Sequence, residues 1–264
     1  MNKNIPIKNK NVIKTGEVYL GRDWREISRP QIHGYNLTCV ALAPKWSQEQ
    51  QTEQEQEPCY LLYSAGDEKM VRVFDAPTSV LEGISALCGI NVSHSKTQSQ
   101  VKRAFIPELG LSNKASELMN ESEKAEYDIR NVGDIAWDAG IPPLEGQLAD
   151  FTVWPETKKL YGHSNDIVCM SLCYASCGCE YKNEEKLYGR YMATACKARN
   201  AATASIIVWD TKTNLEVCSL MGHESTVTCL DFSPCGRFLA SSGKDRSLCL
   251  YENVTEKGKG NVEN

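Results

Sequence analysis

The 264-residue sequence predicts an all-β fold made of repeated small antiparallel sheets. Two observations carry this. First, a Gly-His or His-Gly pair recurs, each time followed by an aromatic-acidic pair. His33-Gly34 precedes Phe74-Asp75, Gly162-His163 precedes Trp209-Asp210, and Gly222-His223 precedes Tyr251-Glu252. Second, the residues between the pairs alternate apolar and polar in short runs broken by turn formers, the pattern of half-buried strands.

Each unit can be read strand by strand. In the third, alternation over 226–232 predicts a first strand, and Ser233-Pro234-Cys235-Gly236 a tight turn with Pro and Gly in turn-forming places. Residues 237–242 form a second strand, 243–246 the next turn and 247–251 a third strand. In the second unit, strands are expected over 167–172, 191–195 and 206–210, with a polar insert after the first. An outer strand over 215–220 precedes Gly222-His223. The first unit offers 37–42, 60–64 and 70–74, with Asp67 and Glu68 in its turn. Trp154 and Leu160 are assigned to an outer strand leading into the second unit.

This spacing resembles WD-repeat β-propellers, whose repeats run to about 40–45 residues. In such blades a buried His, a strand Ser or Thr, a turn Asp and the Trp form a hydrogen-bonded stack. The resemblance implies that His223, Ser241, Asp245 and Tyr251 lock the third unit, and that His163 and Trp209 do so in the second. The second unit departs from the pattern: Thr203 stands in the Asp slot. These residues are read as blade-locking groups, because buried polar groups must be paired. Arg72 is assigned to locking its own unit. Propellers typically have 4–8 blades, and only three are recognisable. A ring of three cannot close, which favours an incomplete propeller.

The expected organisation is four segments. Residues 1–75 hold the end of a preceding blade and the first unit, 76–151 an insertion with a short helix, 152–254 two further units, and 255–264 a polar tail. Within the insertion, Pro77 followed by apolar Val80, Leu81, Ile84 and Leu87 predicts an amphipathic helix over 77–90. A second ordered piece is expected over 106–115. Ile141-Pro142-Pro143-Leu144 is read as breaking any regular element. A partner-binding element and a partly ordered insert are equal readings of this segment. The Gln/Glu run at 47–57 reads as a solvated loop.

Hydrophobic residues make up 41% of the chain, enough for a core, and the net charge is -5. The acidic balance argues against non-specific nucleic-acid binding. No apolar run approaches the roughly 18 residues of a membrane span. The first residues lack the apolar stretch of a signal peptide, so a cytoplasmic protein is expected, with the nucleus as a second location. The twelve cysteines are then read as reduced thiols. Cys39, Cys169, Cys229 and Cys249 alternate within strands like small hydrophobes. Cys169, Cys173, Cys177 and Cys179 are spaced C-x3-C-x3-C-x-C, unlike the C-x2-C pairs common at zinc. That spacing and the isolated His94 weigh against a metal site without excluding one. Walker-type glycine loops, iron-sulfur C-x3-C-x2-C clusters and G-x-S-x-G elbows are absent. The expectation is no enzyme activity and no cofactor.

Several segments are more particular than generic repeats. They are 24–35, 64–77, 109–115, the pair Pro142-Pro143, 154–163 and 193–198. These resemble the WD-repeat second subunit of the Elongator complex, over about 17–252 and including the insertion. The resemblance implies a portion of the second of two consecutive seven-bladed propellers. The Gln/Glu loop and the Cys-rich loop depart from the family. The implied function is scaffolding: organising the radical catalytic subunit and the large scaffold subunit that together modify the wobble uridine of transfer RNA. No small-molecule substrate or membrane is implied, and transfer RNA contact would be weak or indirect. A general WD-repeat adaptor is the alternative. Candidate partner or RNA contacts are the turn and flanking cations Arg29, Lys197, Arg199, Lys244 and Arg246, against a reading as solvated surface charge.

Overall fold

The computed structural model describes residues 26–30, 34–44, 60–88, 104–106, 113–115, 143–174 and 189–254. His33, His94, Cys177, Cys179 and the charged runs at 47–57 and 117–126 lie outside them. In chain order the strands and helices are β1 (Leu37–Pro44), β2 (Tyr60–Gly66), β3 (Met70–Asp75), α1 (Thr78–Cys88), β4 (Ala104–Phe105), β5 (Lys114–Ala115) and α2 (Glu145–Phe151). They continue as β6 (Glu156–Tyr161), β7 (Ile167–Leu172), β8 (Tyr191–Cys196), β9 (Ile206–Asp210), β10 (Leu215–Leu220), β11 (Val227–Phe232), β12 (Phe238–Gly243) and β13 (Leu248–Glu252).

Three antiparallel sheets follow one another along the chain. Their orders are β1-β2-β3-β6, β7-β8-β9-β10 and β11-β12-β13. Each is a WD-repeat blade, and the sheets do not close a ring. The innermost strands β1, β7 and β11 carry the same irregularity, a register shift just before Cys39, Cys169 and Cys229. The three blades therefore repeat in backbone detail as well as in sequence.

The strand ahead of Gly162-His163 pairs with β3, from Met70↔Tyr161 to Phe74↔Glu156. It completes the first sheet rather than leading the second, and the whole insertion is a detour between the third and fourth strands of one blade. The reason is geometric: Asp75 ends β3 at one end of the sheet, and the chain must return to that end to add an antiparallel neighbour.

The blades stack through two cores. Between the first and second, Ala41, Ala43, Ala65, Val71 and Val73 meet Ile167, Met192, Ile207 and Trp209. Between the second and third, Ala193, Ala195 and Val208 meet Val227, Leu230 and Leu239. Alternation puts these residues on facing sides, and small side chains on one sheet admit large ones from the next. A third cluster, Phe74, Ala76, Val80, Leu81 and Trp154, seats α1 against the first blade. The predicted spacing of apolar residues in α1 is the spacing that makes this contact. Helix α2 was not expected; Pro143 lies ahead of it, where a missing amide costs nothing. Gln147 Oε1 accepts from the Leu144 amide at 2.8 Å and fixes its start. Among the described residues no helix is long and apolar enough to cross a membrane.

Candidate functional site

The blade-locking positions are built differently in each sheet. In the third blade His223 is fully buried. Its Nδ1 lies 2.9 Å from Asp245 Oδ2 and its Nε2 2.7 Å from Ser241 Oγ. An ionised carboxylate only accepts, so Nδ1 carries the proton and Ser241 donates to Nε2. Asp245 also accepts from the Glu224 amide at 2.9 Å, the Ser247 amide at 3.0 Å and the Ser247 hydroxyl at 2.7 Å. Hydrogen bonds from Ser247 hold its carboxyl well below the usual range. Tyr251 donates to the Met221 carbonyl at 3.3 Å.

In the second blade the hub is Thr194, a fully buried residue the sequence reading did not single out. It accepts from Trp209 Nε1 at 2.8 Å and contacts His163 Nε2 at 2.8 Å, with the Ile207 carbonyl 3.4 Å away. A hydroxyl accepts twice and donates once, so His163, Trp209 and Ile207 use its full capacity. Burial pushes the His163 pKa down to about 4. The turn without an Asp is instead capped by Asn200, whose Oδ1 accepts from the Thr203 amide at 3.1 Å.

In the second and third blades the glycine of the Gly-His pair lies against the aromatic that follows it, whereas a Cβ on Gly34 would meet nothing within 4 Å. A Cβ on Gly162 would lie 3.1 Å from the Trp209 ring, and one on Gly222 2.9 Å from the Tyr251 hydroxyl. In these two blades the recurring pairs are thus in contact, with Ile207 also 2.9 Å from a Cβ on Gly162.

In the first blade an ion network occupies the corresponding space. Arg72 donates to Glu68 at 2.7 Å and to Glu156 at 3.3 Å, and both carboxylates are nearly buried. Burial raises the Glu156 pKa, against the pull of Arg72 and Lys159. Arg72 thereby joins the β2–β3 turn to the outer strand β6.

The five candidate contact cations fall into three situations. Arg29 is held by Glu26 at 2.8 Å and by Glu145 at 3.0 Å. It sits beside Thr152, at the end of the first blade opposite the β2–β3 turn. Lys197 bridges Asp67 and Asp166, both at 3.1 Å, and so joins blades one and two. Arg199, Lys244 and Arg246 are exposed and pair with no carboxylate among the described residues. Thr226 draws the last two turns together. Its Oγ1 meets the Ala198 amide and carbonyl at 2.9 Å, and its carbonyl accepts from the Lys244 amide at 2.9 Å. The structure therefore groups Arg199, Lys244 and Arg246 on one face of the stack and leaves Arg29 elsewhere.

The distinctive segments meet at the insertion. Asn113 donates through Nδ2 to the carbonyls of Pro30 at 3.0 Å and Trp154 at 2.9 Å. Ser28 accepts from Trp154 Nε1 at 2.9 Å and donates to the Thr152 carbonyl at 2.9 Å. The Trp154 amide donates to Pro30 and the Glu156 amide to Asn113. Segments 26–30, 113–115 and 152–156 are thereby tied into one knot beside α1. Of the Cys cluster, Cys169 and Cys173 are buried in the described residues. Burial pushes the Cys169 thiol up to about 12, and no described group of three or more His, Cys, Asp or Glu is arranged to hold a metal.

That knot joins the segments that set this chain apart from generic repeats, and the comparisons agree with its particularity. The WD domain, G-beta repeat family matches residues 215–252. Elongator complex protein 2 of Homo sapiens is 33% identical over 242 residues, 87% of this chain. The Schizosaccharomyces pombe and Saccharomyces cerevisiae proteins of that name are 32% and 34% identical over 87% and 88% of the chain. Over this span the chain is similar to Elongator complex protein 2 from several species. It spans about a quarter of the length of these relatives, 26–27%. Among solved structures, that of U3-55K aligns with a TM-score of 0.38 at 13% identity, covering 84% of this chain and 37% of that one. The crystal structure of RRP9 WD40 repeats aligns with a TM-score of 0.37 at 14% identity, with the same two coverages of 84% and 37%.

Proposed function

We propose that this chain is a member of the Elongator complex protein 2 family and a non-catalytic scaffold, part of the family's second propeller. It organises the radical catalytic subunit and the large scaffold subunit during wobble-uridine modification of transfer RNA, in the cytoplasm and also in the nucleus. One observation carries the reading: the identity to Elongator complex protein 2 extends over 87% of the chain, through an insertion that generic repeats lack. The knot of Asn113, Pro30 and Trp154 fixes the described segment 113–115 of that insertion against the first blade, which suits a docking element. The polar clusters at His163 and His223 are consumed in holding blades together, which leaves them no free acid, base or nucleophile.

Arg199, Lys244 and Arg246 supply the weak transfer RNA contact, through phosphates. Three cations give a shallow salt dependence, because each neutralised phosphate adds about one to the slope.

Affinity purification of the tagged chain from its own cells, followed by mass spectrometry, tests the assembly. Recovery of the large scaffold and radical catalytic subunits is the expected result. Specific recovery of unrelated partners would establish a general adaptor instead.

A further inference from the structure

The knot at the insertion turns on one hydroxyl. Ser28 Oγ gives its only proton to the Thr152 carbonyl at 2.9 Å and accepts from Trp154 Nε1 at 2.9 Å. Thr152 is fully buried. The neighbouring Arg29 amide donates to Thr152 Oγ1 at 2.8 Å. Pro30 accepts from the Trp154 amide at 2.7 Å and from Asn113 Nδ2 at 3.0 Å. Segment 26–30 has no helix or strand of its own, and its residues are half-buried or exposed. It therefore opens at lower cost than a blade strand.

The sequence around this hydroxyl has a second property. In Arg25-Glu26-Ile27-Ser28-Arg29 the serine stands three residues after an arginine, and no other arginine of the chain has a serine or threonine at that spacing. Protein kinases choose substrates by such charge patterns, and one large class selects arginine at this position. The group that such an enzyme adds does not fit the closed knot. A phosphate ester at Oγ has no proton for the Thr152 carbonyl and carries a charge of about −1.5 to −2 at pH 7. Next to it in the chain is Arg29, whose guanidinium already bonds Glu26 at 2.8 Å and Glu145 at 3.0 Å. The lost donor and the uncompensated charge both oppose closure.

We propose that Ser28 is a phosphorylation site, modified by an arginine-directed serine/threonine kinase while segment 26–30 is open. The γ-phosphoryl of ATP passes to Ser28 Oγ, ADP leaves and the hydroxyl proton is released. The phosphate then holds the knot open and frees segment 113–115 from the first blade. Closure and phosphorylation exclude each other. The inference rests on the knot and the local sequence, and is independent of the Elongator assignment.

The test is incubation of the full chain with a purified arginine-directed serine kinase and Mg-ATP, with the modified residue mapped by mass spectrometry. Phosphate on Ser28 is the expected result. Arg25→Gln should slow its incorporation about tenfold, by removing the charge that the kinase reads. Asn113→Ala leaves the kinase's sequence intact and loosens the knot. It should speed incorporation about tenfold, because the kinase acts on the open fraction. Glu145→Gln, at an exposed side chain, should shift the rate in the same direction without threatening the fold. Hydrogen exchange of the Trp154 amide should quicken in the order parent, Ser28→Ala, phosphorylated chain, while β8 amides stay protected. A hydroxyl that mattered only through its bonds would leave the last two equal. Phosphate on other residues and none on Ser28, in the parent and Asn113→Ala alike, would overturn the proposal. So would incorporation indifferent to both Asn113→Ala and Glu145→Gln, or a phosphorylated chain whose Trp154 amide exchanges as slowly as the parent's.

Discussion

Nδ1 of His223 lies 2.9 Å from Oδ2 of Asp245, a contact that ties the segment ahead of the third blade to the β12–β13 turn. The ring's other nitrogen reaches Ser241 in β12. One imidazole therefore fixes a loop, a turn and a strand. His223→Ala should cost about 1–3 kcal/mol, because buried Ser241 loses the ring nitrogen it donates to and Asp245 loses the Nδ1 donor. Urea unfolding followed by circular dichroism measures this. A midpoint unchanged from the parent would mean the stack is ornamental.

The two clusters respond to acid in the same direction. The folded-state pKa of His163 is about 4, below the ordinary 6.5, because burial disfavours the charged ring. The unfolded chain thus binds more protons between those values. Stability should be full above pH 6.5 and fall as pH drops through 4. The loss is on the order of 3 kcal/mol at the acid end, from about 1.4 kcal/mol per pKa unit. Asp245, held low chiefly by Ser247, adds stability that is also lost with falling pH. Thermal unfolding of the parent and of His163→Gln across this range is the check. The two curves should converge toward acid, and parallel curves would remove His163 as the cause.

Much of the fold was legible because a half-buried strand declares itself every second residue. The nine inner strands of the blades, the outer strand β10 and α1 all stand within two residues of their expected positions. The outer strand β6 was read into the wrong sheet, since Thr157 and Lys158 face solvent at the rim and the run Glu156-Thr157-Lys158-Lys159 carries no apolar alternation to tie it to β3. Helix α2 was hidden by the two prolines read as a break. The third blade's lock could be read from its His, Ser and Asp, whereas the second blade's hub depended on seeing that Thr194 holds the strand position taken by Ser241. The knot at the insertion was invisible. Its side-chain bonds join residues 41 to 126 positions apart, which no local pattern encodes.

Thr194 and Trp209 should prove non-additive. Trp209→Phe removes one donor to Thr194, and Thr194→Ala removes the acceptor shared by His163 and Trp209. Each alone should cost about 1–3 kcal/mol through an unpaired buried group. Together they should cost less than the sum by about 0.5 kcal/mol or more, because both break the same bond. Additive losses in a double-mutant cycle would show that the two contacts act independently.

Arg246 adopts φ 65° in the β12–β13 turn, a conformation that glycine reaches without a steric penalty. Arg246→Gly should therefore stabilise the blade, by less than about 1 kcal/mol, since glycine's greater freedom in the unfolded chain offsets part of the relief. The same substitution should weaken transfer RNA binding if the exposed cations meet phosphate. Its two effects then have opposite signs, and filter binding beside thermal unfolding separates them. A destabilised variant would mean that the Arg246 side chain makes a contact stronger than the strain.

Asn113 is the residue on which the insertion hangs. It is buried, and its one side-chain amide serves two carbonyls from segments remote in sequence. Asn113→Asp keeps the shape but turns both donors into acceptors, facing Pro30 and Trp154 carbonyls that can only accept. It should be worse than Asn113→Ala, which leaves the carbonyls unpaired at about 1–3 kcal/mol. The loss should be local, because the blade cores contain none of these atoms. Hydrogen exchange of the Trp154 amide, which donates to Pro30 at 2.7 Å, should accelerate in the order parent, Ala, Asp, while β8 amides stay protected. If the insertion is a docking element, recovery of the other Elongator subunits should fall in that same order. Unchanged recovery with a loosened knot would move the docking surface to the blades themselves.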